Sequence, residues 1–256
     1  MALKKLGLAG NEIGPEAGKD LGEALKTNTT LTELNLGLNQ LGDDGVKALA
    51  EGLKRNGAVT DLVLAANRIG SGGAKALGEV IETNTTLRKL HLEQNMVDDD
   101  GAKELAVGLQ KNSTMTLLDL SSNKIGNAGA IELANVLKVN ASLVRLMFRA
   151  NAIGIDGAME LTEALESNAS ITSLNLVRNK MTEEPEDLAR YLKRNEAAAQ
   201  AVLSAVSFLI GIRRGEHCDG MGDLGRLPRD VVLMIARRLW ATRGDLKWLE
   251  AVRKVR

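Results

Sequence analysis

Along residues 3–195 the hydrophobic and polar positions repeat with a step of 28. Leu31, Val59, Leu87, Met115, Leu143 and Ile171 form one apolar column. Leu34, Leu62, Leu90, Leu118, Leu146 and Leu174 form a second, and Leu36, Leu64, Leu92, Leu120, Phe148 and Leu176 a third. An asparagine follows at Asn11, Asn39, Asn67, Asn95, Asn123, Asn151 and Asn179. A glycine comes next (Gly45, Gly73, Gly101, Gly129, Gly157), with leucines such as Leu49 and Leu53 four and eight residues beyond it. Seven units result, the last one residue short in its helix.

Two periods alternate inside each unit. Apolar residues two apart predict a short strand with both on one face. The Gly-x3-Leu-x3-Leu spacing predicts an amphipathic helix, because residues four apart share a face. Neither element buries its apolar face alone; stacking the units makes one continuous core. The asparagine column falls where the chain leaves the strand, and its amide can both donate to and accept from turn backbone groups. The expected fold class is therefore α/β, a solenoid with parallel strands on the concave face and helices on the convex face. Strand and helix spacings differ, which bends the stack by roughly 20–25° per unit into an open crescent.

The pattern L-x-x-L-x-L-x-x-N-x-[ILMV]-x3-G-x3-L-x3-L resembles the leucine-rich repeat in its 28-residue, ribonuclease-inhibitor-like form. That form is also seen in the GTPase-activating protein of Ran and in NOD-like receptors. The resemblance implies a protein-binding crescent, and the Ran relative raises a small-GTPase activator as an alternative.

The outward positions between the strand leucines change along the chain. The central column reads Gly7, Asn35, Val63, His91, Asp119, Met147, Asn175. Units one to three are small or weakly polar, whereas units four to six carry Lys89, His91, Glu93, Asp119, Arg145, Met147 and Arg149. These seven are the expected protein-binding residues, with His91 taken as a surface residue rather than a metal ligand.

Candidate chemistry elsewhere dissolves into the repeat. Asp98-Asp99-Asp100-Gly101 precedes a helix, where aspartate caps free amides and meets the positive end of the dipole. A calcium loop needs oxygens on alternate residues, so no metal is expected there. Gly70-Ser71-Gly72-Gly73-Ala74-Lys75 lacks the Gly-Lys-Ser/Thr ending of a phosphate loop. Asn28, Asn84, Asn112, Asn140 and Asn168 begin N-x-Ser/Thr sequences at helix C-termini, where Asn tolerates a left-handed conformation. His217-Cys218 has no third catalytic partner. The expectation is a non-enzymatic chain with no cofactor.

Charge narrows the partners. Thirty-three Lys and Arg balance 33 Asp and Glu, so nothing draws the chain to nucleic acid or an anionic membrane. The single cysteine, Cys218, fits a reducing compartment, and no N-terminal apolar segment suggests export; a cytoplasmic protein is expected. The longest apolar run, 197–212, carries Gln200, Ser204 and Ser207 and is too short to span a membrane.

The expected domains are 1–195, the solenoid, and 196–256, a helical cap or tail with a Gly-rich loop near 211–225. Residues 213–256 hold eleven Lys and Arg against six Asp and Glu, and both tryptophans. Val231, Ile235, Leu239 and Trp240, then Trp248, Leu249 and Val252, form apolar stripes, read as a self-association surface giving a homodimer. Leu227-Pro228-x-Asp230-Val231-Val232-x-x-Ile235-x-x-x-Leu239 resembles the start of an F-box. That resemblance implies the alternative of a ubiquitin-ligase substrate adaptor.

Overall fold

The computed structural model describes residues 2–181 and 183–213. The chain divides into two compact units, Met1–Lys193 and Arg194–Arg256, two residues before the boundary drawn from the sequence.

In the first unit strand and helix alternate: β1 (Lys5–Gly7), α1 (Pro15–Thr27), β2 (Glu33–Asn35), α2 (Gly42–Leu53), β3 (Asp61–Val63), α3 (Ser71–Thr83), β4 (Lys89–His91), α4 (Asp99–Lys111), β5 (Leu117–Asp119), α5 (Asn127–Leu137), β6 (Arg145–Met147), α6 (Ile155–Ser167) and β7 (Ser173–Asn175). Helix α7 (Glu186–Arg213) follows. The strands form one parallel sheet in chain order, every residue paired with the one 28 positions on, such as Leu34 with Leu62 and Leu62 with Leu90. The unit is an α/β solenoid. No helix among the described residues is long and apolar enough to cross a membrane.

All three apolar columns are buried, and Phe148 fills its leucine slot at 0% exposure. Leu188 of α7 belongs to the same core, with Tyr191 and Leu192 packed against it. Each strand is only three residues long, yet the ladder runs further. Leu36 N–H donates to Val63 O and Leu38 N–H to Ala65 O, and the same bonds recur 28 residues on. Reaching that second carbonyl puts Leu38, Ala66, Gln94, Ser122 and Ala150 at positive φ. Each left-handed non-glycine costs ~1–2 kcal/mol, which the additional ladder bond offsets.

The left-handed residue thus lies at the strand exit and not at the helix C-terminus, where the sequence had suggested it. Asn28, Asn84, Asn112 and Asn168 sit there with extended backbones. Their column works through its side chains. Asn56 Nδ2 donates to Leu25 O and Asn28 O, while its Oδ1 accepts from the N–H of Ala58 and Val59. Asn84, Asn112, Asn140 and Asn168 make the same bonds and are buried.

The strand-exit asparagines form a second ladder. Asn95 Oδ1 accepts from Asn67 N–H at 2.9 Å and Ile69 N–H at 3.0 Å, and its Nδ2 donates to Leu64 O and Leu92 O. One amide ties two repeats together, as the position of the column suggested.

The helix layer holds a longer period that the apolar columns do not reveal. A Cβ on Gly52 would meet Gly22 O at 2.1 Å, and one on Gly108 would meet Gly78 O at 2.2 Å. Helix pairs α1/α2 and α3/α4 therefore approach backbone to backbone. The Gly52 and Gly108 column is occupied by Val80 and Val136 in the alternate repeats.

Candidate functional site

The outward faces of β4, β5 and β6 bring together residues that are far apart in the chain. Register places Leu117 between Lys89 and Arg145, and Asp119 between His91 and Met147. Adjacent parallel strands lie about 4.8 Å apart, so these side chains stand next to one another. Glu93 and Arg149 follow two residues beyond their strands' central outward positions.

A network begins on β3. Lys89 Nζ donates to Asp61 Oδ2 at 2.9 Å. His91 lies between two carboxylates, with Nε2 3.7 Å from Asp61 Oδ1 and Nδ1 3.9 Å from Glu93 Oε2. Asp119 accepts Ser121 N–H through Oδ1 at 2.9 Å, a turn that Asn35 and Asn175 repeat. One ligand-capable atom from each of His91, Glu93 and Asp119 lies within 4.8 Å of the other two. His91 therefore belongs to a cluster with Glu93 and Asp119.

Glu93 stands apart from every other polar group on this face. Its Oε2 is shut off from solvent and has no hydrogen-bond partner among the described residues. Burial pushes its carboxyl above the ordinary glutamate range, and the charge of Asp119 adds to the shift.

Beside the cluster is a hollow of about 400 Å³ lined by Glu93, Gln94, Asp119, Ser121, Ser122, Met147, Arg149 and Asn175. Of the seven strand-face residues expected from the sequence, Glu93, Asp119, Met147 and Arg149 line it, with His91 beside them. Lys89 pairs with Asp61, and Arg145 is exposed. Asp61 was missed, although it is the residue 28 before Lys89 and the register gives it away. The tail residues Val231, Ile235, Leu239, Trp240, Trp248, Leu249 and Val252, and the F-box-like segment, lie outside the described residues.

The triple aspartate of α4 divides its work. Asp98 caps its own helix, accepting from Gly101 N–H at 3.0 Å and from the Ser71 hydroxyl at 2.7 Å. Asp99, already inside the helix, accepts from Gly126 N–H and Gly129 N–H and so caps the next repeat. Asp43 and Asn127 do the same for α3 and α6, whose own N-caps are glycines. The sequence suggested capping; the caps across repeats were not foreseen.

A family model described as Leucine Rich repeat matches residues 27–50, 83–106 and 111–134. The three segments begin a multiple of 28 residues apart, in phase with the columns and with the sheet register. These segments of the chain are leucine-rich repeats. Among solved structures, the actin-binding site 2 domain of leiomodin-1 matches with a TM-score of 0.56 and 23% identity, covering 68% of this chain and 97% of that one. The tropomodulin C-terminal domain of Caenorhabditis elegans matches with a TM-score of 0.44 and 17% identity over 72% of this chain and 96% of that one. The plant peptide hormone receptor RGFR1, in complex with RGF2, matches with a TM-score of 0.43 and 20% identity over 75% and 31%. A search of curated proteins gave no match. The leiomodin likeness carries the leucine-rich-repeat fold and nothing about the ligand.

Proposed function

We propose that this leucine-rich-repeat chain is a non-enzymatic interaction module that takes a protein partner on the strand face of repeats four to six. The observation that carries the reading is the concentration of large and charged outward side chains around one hollow. Glu93, Asp119, Met147 and Arg149 line it, and the exposed Arg145 stands nearby. The columns of Met147 and Arg149 hold Gly7, Asn35 and Val63, and Ala9, Gly37 and Ala65, in repeats one to three. Interfaces favour methionine and arginine, and unpaired charge of both signs supplies specificity. Leiomodin-1's matched domain is described as an actin-binding site, one case of this architecture binding a protein. At 23% identity the partner of this chain is left to its own surface chemistry.

The test is a comparative capture with the full chain, with Arg145→Glu/Arg149→Glu, and with the helix-face control Glu132→Lys. A partner retained by wild type and control but lost by the double variant, then bound directly as purified protein, supports the reading. Partners that ignore the double variant, or that depend only on residues 213–256, remove it.

The tail belongs to the same proposal as the self-association surface, making a homodimer in a reducing, cytoplasmic setting that suits the lone Cys218. Trp240→Ala/Trp248→Ala should convert a dimer to a monomer in light scattering. A full chain that is monomeric at tens of micromolar excludes that part.

A further inference from the structure

Asp61, His91, Glu93 and Asp119 form a line of acceptors on the strand face. Asp61 pairs with Lys89 at 2.9 Å, and its other oxygen stands 3.7 Å from His91 Nε2. A carboxylate near one imidazole nitrogen favours the proton there, the tautomer in which Nδ1 presents its lone pair. Nδ1 faces Glu93 Oε2 at 3.9 Å, and no group donates to that oxygen among the described residues. Asp119 completes the triangle: the turn to Ser121 engages Oδ1, leaving Oδ2 for another partner. Among the described residues no lysine or arginine pairs with Glu93 or Asp119. A lone pair and two carboxylates meeting without a donor repel one another unless a cation lies between them.

We infer that His91, Glu93 and Asp119 bind a divalent transition-metal ion of the zinc class. The donor set of one imidazole nitrogen and two carboxylates suits zinc or cobalt, whereas calcium and magnesium take oxygen alone. Tetrahedral zinc with bonds of ~2.0–2.2 Å holds its ligand atoms roughly 3.3–3.5 Å apart. The three atoms, within 4.8 Å of each other, reach that spacing by small side-chain rotations on a fixed sheet. The two carboxylates balance the ion's charge. Asp61 is a positioning residue, orienting the ring through the nitrogen that does not bind metal. Three protein ligands leave a fourth position open to solvent or a partner's side chain. His91 and Glu93 are two apart on one strand, and Asp119 is 28 beyond His91, so sheet register alone builds the site.

The test uses the purified full chain, independent of any protein partner. Zinc chloride titrated calorimetrically should bind once per chain, with a Kd in the micromolar range or tighter. Loss of at least tenfold in affinity is expected for His91→Gln and for Glu93→Gln, and roughly tenfold for Asp61→Asn. Cobalt should give visible absorption bands that His91→Gln abolishes. A large excess of magnesium or calcium should not displace the zinc. Circular dichroism and thermal unfolding confirm that each variant is folded, and Asp119→Asn provides an alternative should one fail. Because His217 and Cys218 could hold zinc elsewhere, binding must persist in Cys218→Ser. No binding at micromolar zinc, binding that survives both His91→Gln and Glu93→Gln, or binding lost in Cys218→Ser overturns the inference.

Discussion

The turns of this chain and the strand face of its middle repeats are both rich in polar side chains, but they treat those side chains in opposite ways. At the turns each polar residue recurs every 28 residues and is satisfied: Asn95 makes four bonds of 2.9–3.0 Å, and Asn56 four of 2.8–2.9 Å. On the strand face of repeats four to six the residues do not recur, and Glu93 Oε2 has no partner among the described residues. Fold stability selects for satisfied polar groups, because an unpaired buried one costs ~1–3 kcal/mol. A polar group that is neither periodic nor satisfied is therefore where to look for a ligand. The lower half of the strand face agrees with this division. Lys5 and Glu33 pair at 2.8 Å, and Lys89 and Asp61 at 2.9 Å.

The largest effect that would sharpen the contrast lies in the helix layer. Gly108→Val should cost more than about 4 kcal/mol, or abolish folding, because its Cβ would overlap Gly78 O at 2.2 Å and backbone cannot step aside. Valine is the native residue at Val80 and Val136 in the same column, so helix propensity is not the cause. Urea unfolding within about 1 kcal/mol of wild type would remove the close pairing of α3 with α4.

Asn95→Ala comes next. Two N–H groups and the Leu64 carbonyl lose their partner, while Leu92 O keeps Asn123 Nδ2, and at 1–3 kcal/mol for an orphaned group the expected cost is about 3 kcal/mol. Asn123 is only half-buried, so solvent can replace part of what its alanine variant loses, and its cost should be smaller. Equal and negligible shifts in urea midpoint would break the picture of satisfied turns.

What could be read from the sequence follows the same division. The three leucine columns, the asparagine column and the helix glycines each have one residue type at one step, so arithmetic finds them and the sheet register repeats them. Phe148 entered its leucine column without ambiguity, since volume and polarity suffice there. The caps from Asp43, Asp99 and Asn127 escaped notice because they act across repeats: local rules look for a cap just before its own helix. The left-handed residue was misplaced because Leu38, Ala66 and Ala150 are not residues that favour positive φ; the ladder imposes it. The step of 28 already sets Asp119 beside His91 in the outward column; the approach of Glu93 to both depends on side-chain rotamers that spacing does not carry.

A moderate effect separates the aspartates. Asp98→Ala and Asp99→Ala should each cost about 1 kcal/mol, the usual worth of an N-cap. Hydrogen exchange should quicken in the first turn of α4 for the former and of α5 for the latter. The Gly101 N–H and the Ser71 hydroxyl hold the Asp98 carboxyl below the ordinary aspartate range. Its contribution is therefore complete above that range and fades as pH falls through the lowered value. The gap between wild type and Asp98→Ala should be open at pH 7 and narrow well below about pH 4. A gap that widens in acid, or exchange confined to α4 in both variants, would contradict the assignment.

The smallest effect is the most discriminating, because it has the opposite sign. Every turn substitution above removes a satisfied group and destabilises. Glu93→Gln replaces an oxygen that has no donor with an amide that is one, in a place where His91 Nδ1 and Asp119 present acceptors within 4.8 Å. One new hydrogen bond is worth about 0.5–1.5 kcal/mol, so the metal-free variant should unfold at the wild-type temperature or a few degrees above it. The same substitution takes a ligand from zinc, which binds only the folded chain and so stabilises it by mass action. Excess zinc should therefore raise the wild-type Tm while leaving the variant's in place, reversing their order. Calorimetric melts with and without zinc read both signs. A variant that melts well below wild type in chelator would make Glu93 a structural residue like Asn95, and the distinction between satisfied turns and an unsatisfied face would fall with it.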